Sequence, residues 1–170
     1  MEGPILLSTY MKDAQKARLD WLKGSVTGRA LEVGCNWGFS TVWIGACAGI
    51  DINPTNIHLA RLLAPGVEFT PGDARDLPYE DKEFDTVVVP DMLEHLDFEE
   101  DVPKVLSEAL RVAGKRVLVT FPDGREDSDD ATNMKHQWLG DEGHVSRILE
   151  LLHPAIGSSY RGFICIRRDL

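Results

Sequence analysis

Leu31-Glu32-Val33-Gly34-Cys35-Asn36-Trp37-Gly38-Phe39-Ser40 is the stretch whose reading decides the fold. It reads as the end of an apolar strand, a tight glycine turn and the start of a helix. Gly34 and Gly38 lack side chains where the backbone must bend and a ligand must approach, and the N-terminus of the following helix favours a negative group. That group is either a phosphate or the carboxylate of a methionine moiety. Spacing helps to separate them, because the dinucleotide fingerprint is Gly-x-Gly-x-x-Gly. Here the pattern is Glu-x-Gly-x-x-x-Gly, with Asn36 where a middle glycine often falls. The departure disfavours a dehydrogenase, and Asn is among the few residues that tolerate positive φ.

Outward from this turn, short apolar runs alternate with helical periodicity, as in a parallel sheet wrapped by helices. Strands are expected at 30–34, 48–52, 67–71, 84–90, 116–121, 156–160 and 163–167. One helix places Val102, Val105, Leu106, Ala109 and Leu110 on one face, with Gly114 as its C-terminal stop. A second, over 143–152, presents Val145, Ile148, Leu149 and Leu152 in the same way. Ser158-Ser159-Tyr160-Arg161-Gly162 leaves too little chain for a crossover helix, so the last two strands should form an antiparallel hairpin. The expected fold is α/β: a doubly wound, mostly parallel seven-stranded sheet with a C-terminal antiparallel hairpin and helices on both faces. Residues 8–23 read as an amphipathic helix bearing Tyr10, Met11, Ala14, Ala17, Trp21 and Leu22, which either packs on the sheet edge or covers a site.

A chain of 170 residues, 43% hydrophobic and 27% charged, suits one core, so a single domain over 1–170 is expected. Within it, 1–28 is an N-terminal helical segment and 29–170 the core. The net charge of −10 comes without the clustered basic face with which nucleic-acid binders usually neutralise phosphates. Lys115 with Arg116 and Arg167 with Arg168 are isolated pairs, whereas acids run together at 97–101 and 126–130, where solvated loops or helix starts are expected. Nucleic acid is therefore not an expected partner. No apolar run approaches the roughly 20 residues that cross a bilayer, and nothing resembles a secretory leader. A cytoplasmic protein without a membrane partner, monomer or homodimer, is the expectation. Cys35, Cys47 and Cys165 have no paired metal-type spacing, and no metal is expected.

Further stations follow the turn. Asp51 ends the second strand, where an acid can accept both ribose hydroxyls. Gly72-Asp73-Ala74 ends the third and leads to Leu77-Pro78-Tyr79 and Phe84-Asp85. Pro90-Asp91-Met92-Leu93-Glu94-His95-Leu96 follows the fourth. Together these residues resemble the class I S-adenosylmethionine-dependent methyltransferase family, small-molecule type, over Leu31 to about Phe121. The resemblance implies S-adenosylmethionine as cofactor and S-adenosylhomocysteine as product. It implies that Glu32 and the backbone of Gly34, Cys35, Asn36 and Gly38 hold the amino-acid end. By the same likeness Asp51 holds the ribose, Ile52 covers one adenine face, and Asp73 with the Ala74 amide reads the adenine. Asp85 resembles an acid that begins the strand, with a structural role.

A sulfonium methyl is already electrophilic, so the protein's main task is to hold an acceptor in line behind it with water excluded. A base is needed only when the acceptor is protonated, as a hydroxyl is. Asp91, just past the fourth strand, would face the methyl or the methionine amine, or else cap a helix. His95, four residues on, would share its helical face and is a candidate base. His136, with Gln137 and Trp138 after the fifth strand, resembles a substrate-side histidine. His144 and His153 read as ordinary helix or surface residues. The Asn/Asp-Pro-Pro-Tyr motif of base-amine methyltransferases is replaced by Val89-Pro90-Asp91-Met92. The reading is methyl transfer to a small-molecule acceptor, a hydroxyl before an amine. Its alternatives are a protein or RNA acceptor, or a SAM-binding protein without turnover.

Overall fold

A computed structural model describes residues 13–122, 142–160 and 163–170. Its elements run α1 (Asp13–Ser25), β1 (Ala30–Val33), α2 (Phe39–Ile44), β2 (Ala48–Asp51), α3 (Pro54–Leu63) and β3 (Glu68–Pro71). They continue β4 (Phe84–Pro90), a 3-10 turn (Leu93–His95), α4 (Val102–Val112), β5 (Ala113–Pro122), α5 (Glu142–Leu151), β6 (Ile156–Tyr160) and β7 (Phe163–Asp169).

The seven strands form one sheet in the order β3-β2-β1-β4-β5-β7-β6. Pairings from β3 through β5 are parallel, and β7 runs antiparallel to both β5 and β6. The sheet is thus the doubly wound one expected, with the reversed hairpin at its end. Strand order reverses between β1 and β4, the switch point outside whose carboxyl ends such sheets bind ligands.

Alternation along the strands sorts the core into two faces. Leu31, Val33, Val87, Val89, Val117, Val119 and Phe121 pack with α4 and α5. Ala30, Val88 and Leu118 turn to the other face, under Leu19 and Leu22 of α1 and Ile44 of α2. Ile57 and Ala60 of α3 join Cys35 and Phe69 in a smaller cluster. On α4, Val102, Val105, Leu106, Ala109 and Val112 are all buried, and each fully buried Val or Leu contributes about 1.5–3 kcal/mol.

Two local expectations are corrected. The 102–112 helix ends without help from Gly114: Ala113 is already extended at φ −83° and ψ 133°, and Gly114 belongs to β5. The β5 strand pairs with β4 from Ala113 onward, and ladder bonds outweigh glycine's tendency to end a helix. The N-terminal helix is described from Asp13 and runs two residues beyond the expected 23, whereas Tyr10 and Met11 lie outside the described residues. The expected acidic loop at 126–130 also lies outside them. At 97–101, Asp97 Oδ1 accepts the backbone N–H groups of Glu99 and Glu100 and so shapes the turn leading into α4.

Candidate functional site: the carboxyl ends of the first four strands

The turn after β1 is pinned to β2, since Gly34 N–H and Cys35 N–H both donate to the Ile50 carbonyl, at 2.8 and 3.0 Å. Gly34 has φ 77° and Gly38 φ 80°, a region costly to residues with a Cβ. A Cβ on Gly34 would lie 2.7 Å from Met92 Cγ, and one on Gly38 would lie 2.5 Å from the Phe69 ring. Between them Asn36 takes φ 49°, the positive value its side chain tolerates. Trp37, at the crown of the turn, is half exposed.

Glu32 is fully buried on the α1 and α2 face of β1. Its Oε2 accepts the Thr41 hydroxyl from α2, while Oε1 has no hydrogen-bond partner. Loss of solvent pushes the carboxyl up to about 7, against the opposing pull of the Ser40 and Thr41 hydroxyls and of Arg18. An unsatisfied buried acceptor of this kind is costly in a finished core and suits a ligand that brings a donor. An ammonium group fits that description.

At the end of β2, Asp51 Oδ2 accepts Asn36 N–H at 2.9 Å, and Oδ1 accepts Asn53 N–H at 2.9 Å and Asn56 Nδ2 at 3.3 Å. Ile52 follows with 68% of its surface exposed, a large apolar side chain with no core to enter. Asp73, two residues beyond β3, is held by Arg75: Oδ1 accepts its backbone N–H at 2.9 Å, and Nη2 lies 2.6 Å from Oδ2. The Arg75 guanidinium keeps the Asp73 carboxyl below its usual value and reaches Asp101 at 3.1 Å. Ala74 packs partly buried against the main core.

Beyond β4, Asp91 has φ 44°. Its N–H continues the ladder to the Thr120 carbonyl at 2.8 Å, Oδ1 accepts the Thr120 hydroxyl at 3.0 Å, and Oδ2 pairs with Arg18 of α1. The expectation that Asp91 and His95 share a helical face is overturned. The only helical turn here is the three-residue Leu93–His95, and Asp91 precedes it in left-handed backbone that an α-helix cannot contain. Nor does Asp91 cap that turn, whose N-cap is Met92. His95 is half-buried on the turn. Asp85 stands at the opposite end of β4, accepting Arg29 N–H and pairing with Lys115, both at 2.8 Å. Its role there is structural. His144 stacks edge-on against Phe98 at 4.3 Å. His136 lies outside the described residues, which hold no group of three or more metal-type ligands.

Arg18 and Thr120 were not singled out from sequence. The signal for Arg18 was its register: it lies four residues after Ala14, three before Trp21 and four before Leu22, on the helix stripe that faces the sheet. For Thr120 the signal was a lone polar residue in the apolar run Val117 to Phe121.

Residues 31–120, from the second residue of β1 to Thr120, match the model of the methyltransferase domain family. The chain belongs to that family. The methyltransferase chain is 31% identical over 148 residues to ajmaline N-methyltransferase of Rauvolfia serpentina, covering 79% of this chain and 46% of that one. With the chloroplastic tocopherol O-methyltransferase of Arabidopsis thaliana it shares 31% over 107 residues, 55% of this chain and 30% of that one. It spans less than half the length of these curated relatives. Among solved structures, a SAM-dependent methyltransferase of Thermotoga maritima described as a possible histamine N-methyltransferase superposes with a TM-score of 0.74 at 17% identity. That match covers 91% of this methyltransferase chain and 88% of its neighbour, and it shows a shared fold. No helix among the described residues is long and apolar enough to cross a membrane.

Proposed function

We propose that the chain transfers a methyl group from S-adenosylmethionine to a small-molecule acceptor. One observation carries this reading: Glu32 with the glycine turn, Asp51, Asp73 and Asp91 all stand at the carboxyl ends of adjacent strands, on the edge where the strand order reverses. The curated relatives named for ajmaline and for tocopherol support the substrate class.

When bound, the cofactor supplies an electrophilic methyl group. Glu32 Oε1 accepts from the methionine ammonium, and the backbone of Gly34, Cys35, Asn36 and Gly38 approaches the amino-acid end. Asp51 accepts the ribose hydroxyls: beside its three structural bonds one lone pair of Oδ2 is free, and the long 3.3 Å contact from Asn56 Nδ2 is the one that yields to the second hydroxyl. Ile52 covers an adenine face, and Asp73 with the Ala74 amide reads the adenine edge. Asp91 faces the methyl end. For a hydroxyl acceptor, His95 takes the proton, and His136 is a second substrate-side contact; an amine acceptor needs neither. The hydroxyl is the acceptor we favour, because titratable groups border the methyl end.

The test is a metabolite panel incubated with methyl-labelled S-adenosylmethionine, with products sorted by acceptor atom. Labelled small-molecule ethers are expected. Labelled amines alone would replace the hydroxyl reading, and labelled protein or RNA alone would replace the substrate class. His95→Ala should lower turnover at least tenfold with cofactor affinity little changed.

A further inference from the structure

Arg18 is the one cation that α1 sends beneath the site among the described residues. Its side chain is 11% exposed, against 25% for the Asp91 carboxylate it pairs with, so the arginine stands behind and the carboxylate in front. The guanidinium lies 5.1 Å from the centre of the Phe163 ring, a further contact that fixes it. With Oδ2 on Arg18 and Oδ1 on the Thr120 hydroxyl, the Asp91 carboxylate cannot turn about its own bond without breaking a contact. Its backbone is anchored as well: the left-handed conformation is one Asp tolerates better than most residues, and its N–H is tied to the Thr120 carbonyl at 2.8 Å. A largely buried ion pair is weak evidence for stability, since its desolvation offsets most of its attraction. Orientation is a better account of why this one is built.

We propose that Arg18 is a positioning residue: it holds the Asp91 carboxylate toward the cofactor's methyl end, so that the N-terminal helix forms part of the cofactor site's rear wall. This rests on the reading of Asp91 given above. It carries a sign that simple electrostatics does not. S-adenosylmethionine bears one more positive charge than S-adenosylhomocysteine, so deleting a nearby cation should by Coulomb's law strengthen the preference for the former. If Arg18 acts by aiming Asp91, deleting it weakens that preference.

The experiment is calorimetric titration of the full chain with S-adenosylmethionine and S-adenosylhomocysteine, for wild type, Arg18→Met, Asp91→Asn and the double variant. Arg18→Met is expected to lower the affinity ratio for the two ligands at least fivefold. In the Asp91→Asn background the same change should leave the ratio level or raise it, because there is no carboxylate left to aim and only the Coulomb effect of the lost cation remains. Should Arg18→Met fail to fold, Arg18→Lys keeps the charge and loses the planar fork, and is expected to lower the ratio at least twofold. An unchanged or increased ratio in the arginine variants overturns the proposal, as does an equal loss with and without Asp91. A wild-type chain that binds neither ligand overturns the cofactor reading instead, and one that binds both without preference overturns the placement of Asp91.

Discussion

Asp51 Oδ2 accepts the backbone N–H of Asn36 at 2.9 Å, so the carboxylate that ends β2 also sets the left-handed residue of the glycine turn after β1. Two stations that sequence spacing treats as separate are one unit.

Replacement of Asp51 should therefore act twice. Asp51→Ala removes an acceptor of three hydrogen bonds, each worth about 0.5–1.5 kcal/mol net, and is expected to lower stability by roughly 1.5–4.5 kcal/mol. It should also weaken S-adenosylhomocysteine binding at least tenfold. Chemical denaturation and calorimetry measure the two effects. Lost stability with unchanged affinity would leave Asp51 as scaffold and remove its ribose role.

At Asn36 the positive φ makes a prediction about direction. Asn36→Gly should be tolerated, within about 0.5 kcal/mol, because glycine adopts this conformation freely. Asn36→Ala should cost on the order of 1 kcal/mol, since a Cβ without Asn's local bonding is strained there. Urea titrations of the two variants should place them on opposite sides of the Asn protein or leave Gly level with it. Alanine as stable as glycine would refute the account.

Much of the architecture was legible because apolar alternation and turn chemistry are local. The seven strands and the reversed hairpin follow from runs such as Val87-Val88-Val89 and from the short Ser158 to Gly162 connection. So does the left-handed Asn36, which residue type alone admits. What failed depended on contacts distant in sequence. Asp91 and His95 have helical spacing, yet the ladder bond from Asp91 N–H to Thr120 and the Arg18 pair pull Asp91 out of any helix. Arg18 itself is 73 residues from its partner, and only its place on the apolar stripe hinted at burial.

Glu32 predicts a pH dependence. Its carboxyl is raised from 4.5 to about 7 by burial, so between those values the folded chain holds a proton that the unfolded chain has released. Its contribution to stability is complete below about 4.5 and is lost as pH rises through 7, a difference of a few kcal/mol at most. Glu32→Gln should abolish that loss and be relatively more stable at pH 8 than at pH 5. Cofactor affinity should move the other way, rising with pH through 7 as the carboxylate forms to meet the ammonium, and the Gln variant should show no such rise. Thermal melts and titrations across pH 5 to 8 test both; parallel profiles for wild type and variant would remove Glu32 from cofactor binding.

Asp73 offers a test of specificity as well as of affinity. The carboxylate accepts hydrogen bonds only, so it rewards a ligand that presents an amine and penalises one that presents a carbonyl oxygen at the same place. S-adenosylhomocysteine carries the adenine 6-amino group, and S-inosylhomocysteine has an oxygen there. Wild type should prefer the amino ligand by tenfold or more, because an acceptor facing an acceptor is left unpaired. Asp73→Ala should compress that preference toward unity, chiefly by weakening the amino ligand. The loss should exceed any effect of the broken Arg75 contact, since that pair is more than a third exposed on both sides and contributes little on its own. Competition between the two ligands in one calorimetric series reads the ratio directly. A variant that loses affinity for both equally would show that Asp73 shapes the turn after β3 without reading the adenine edge.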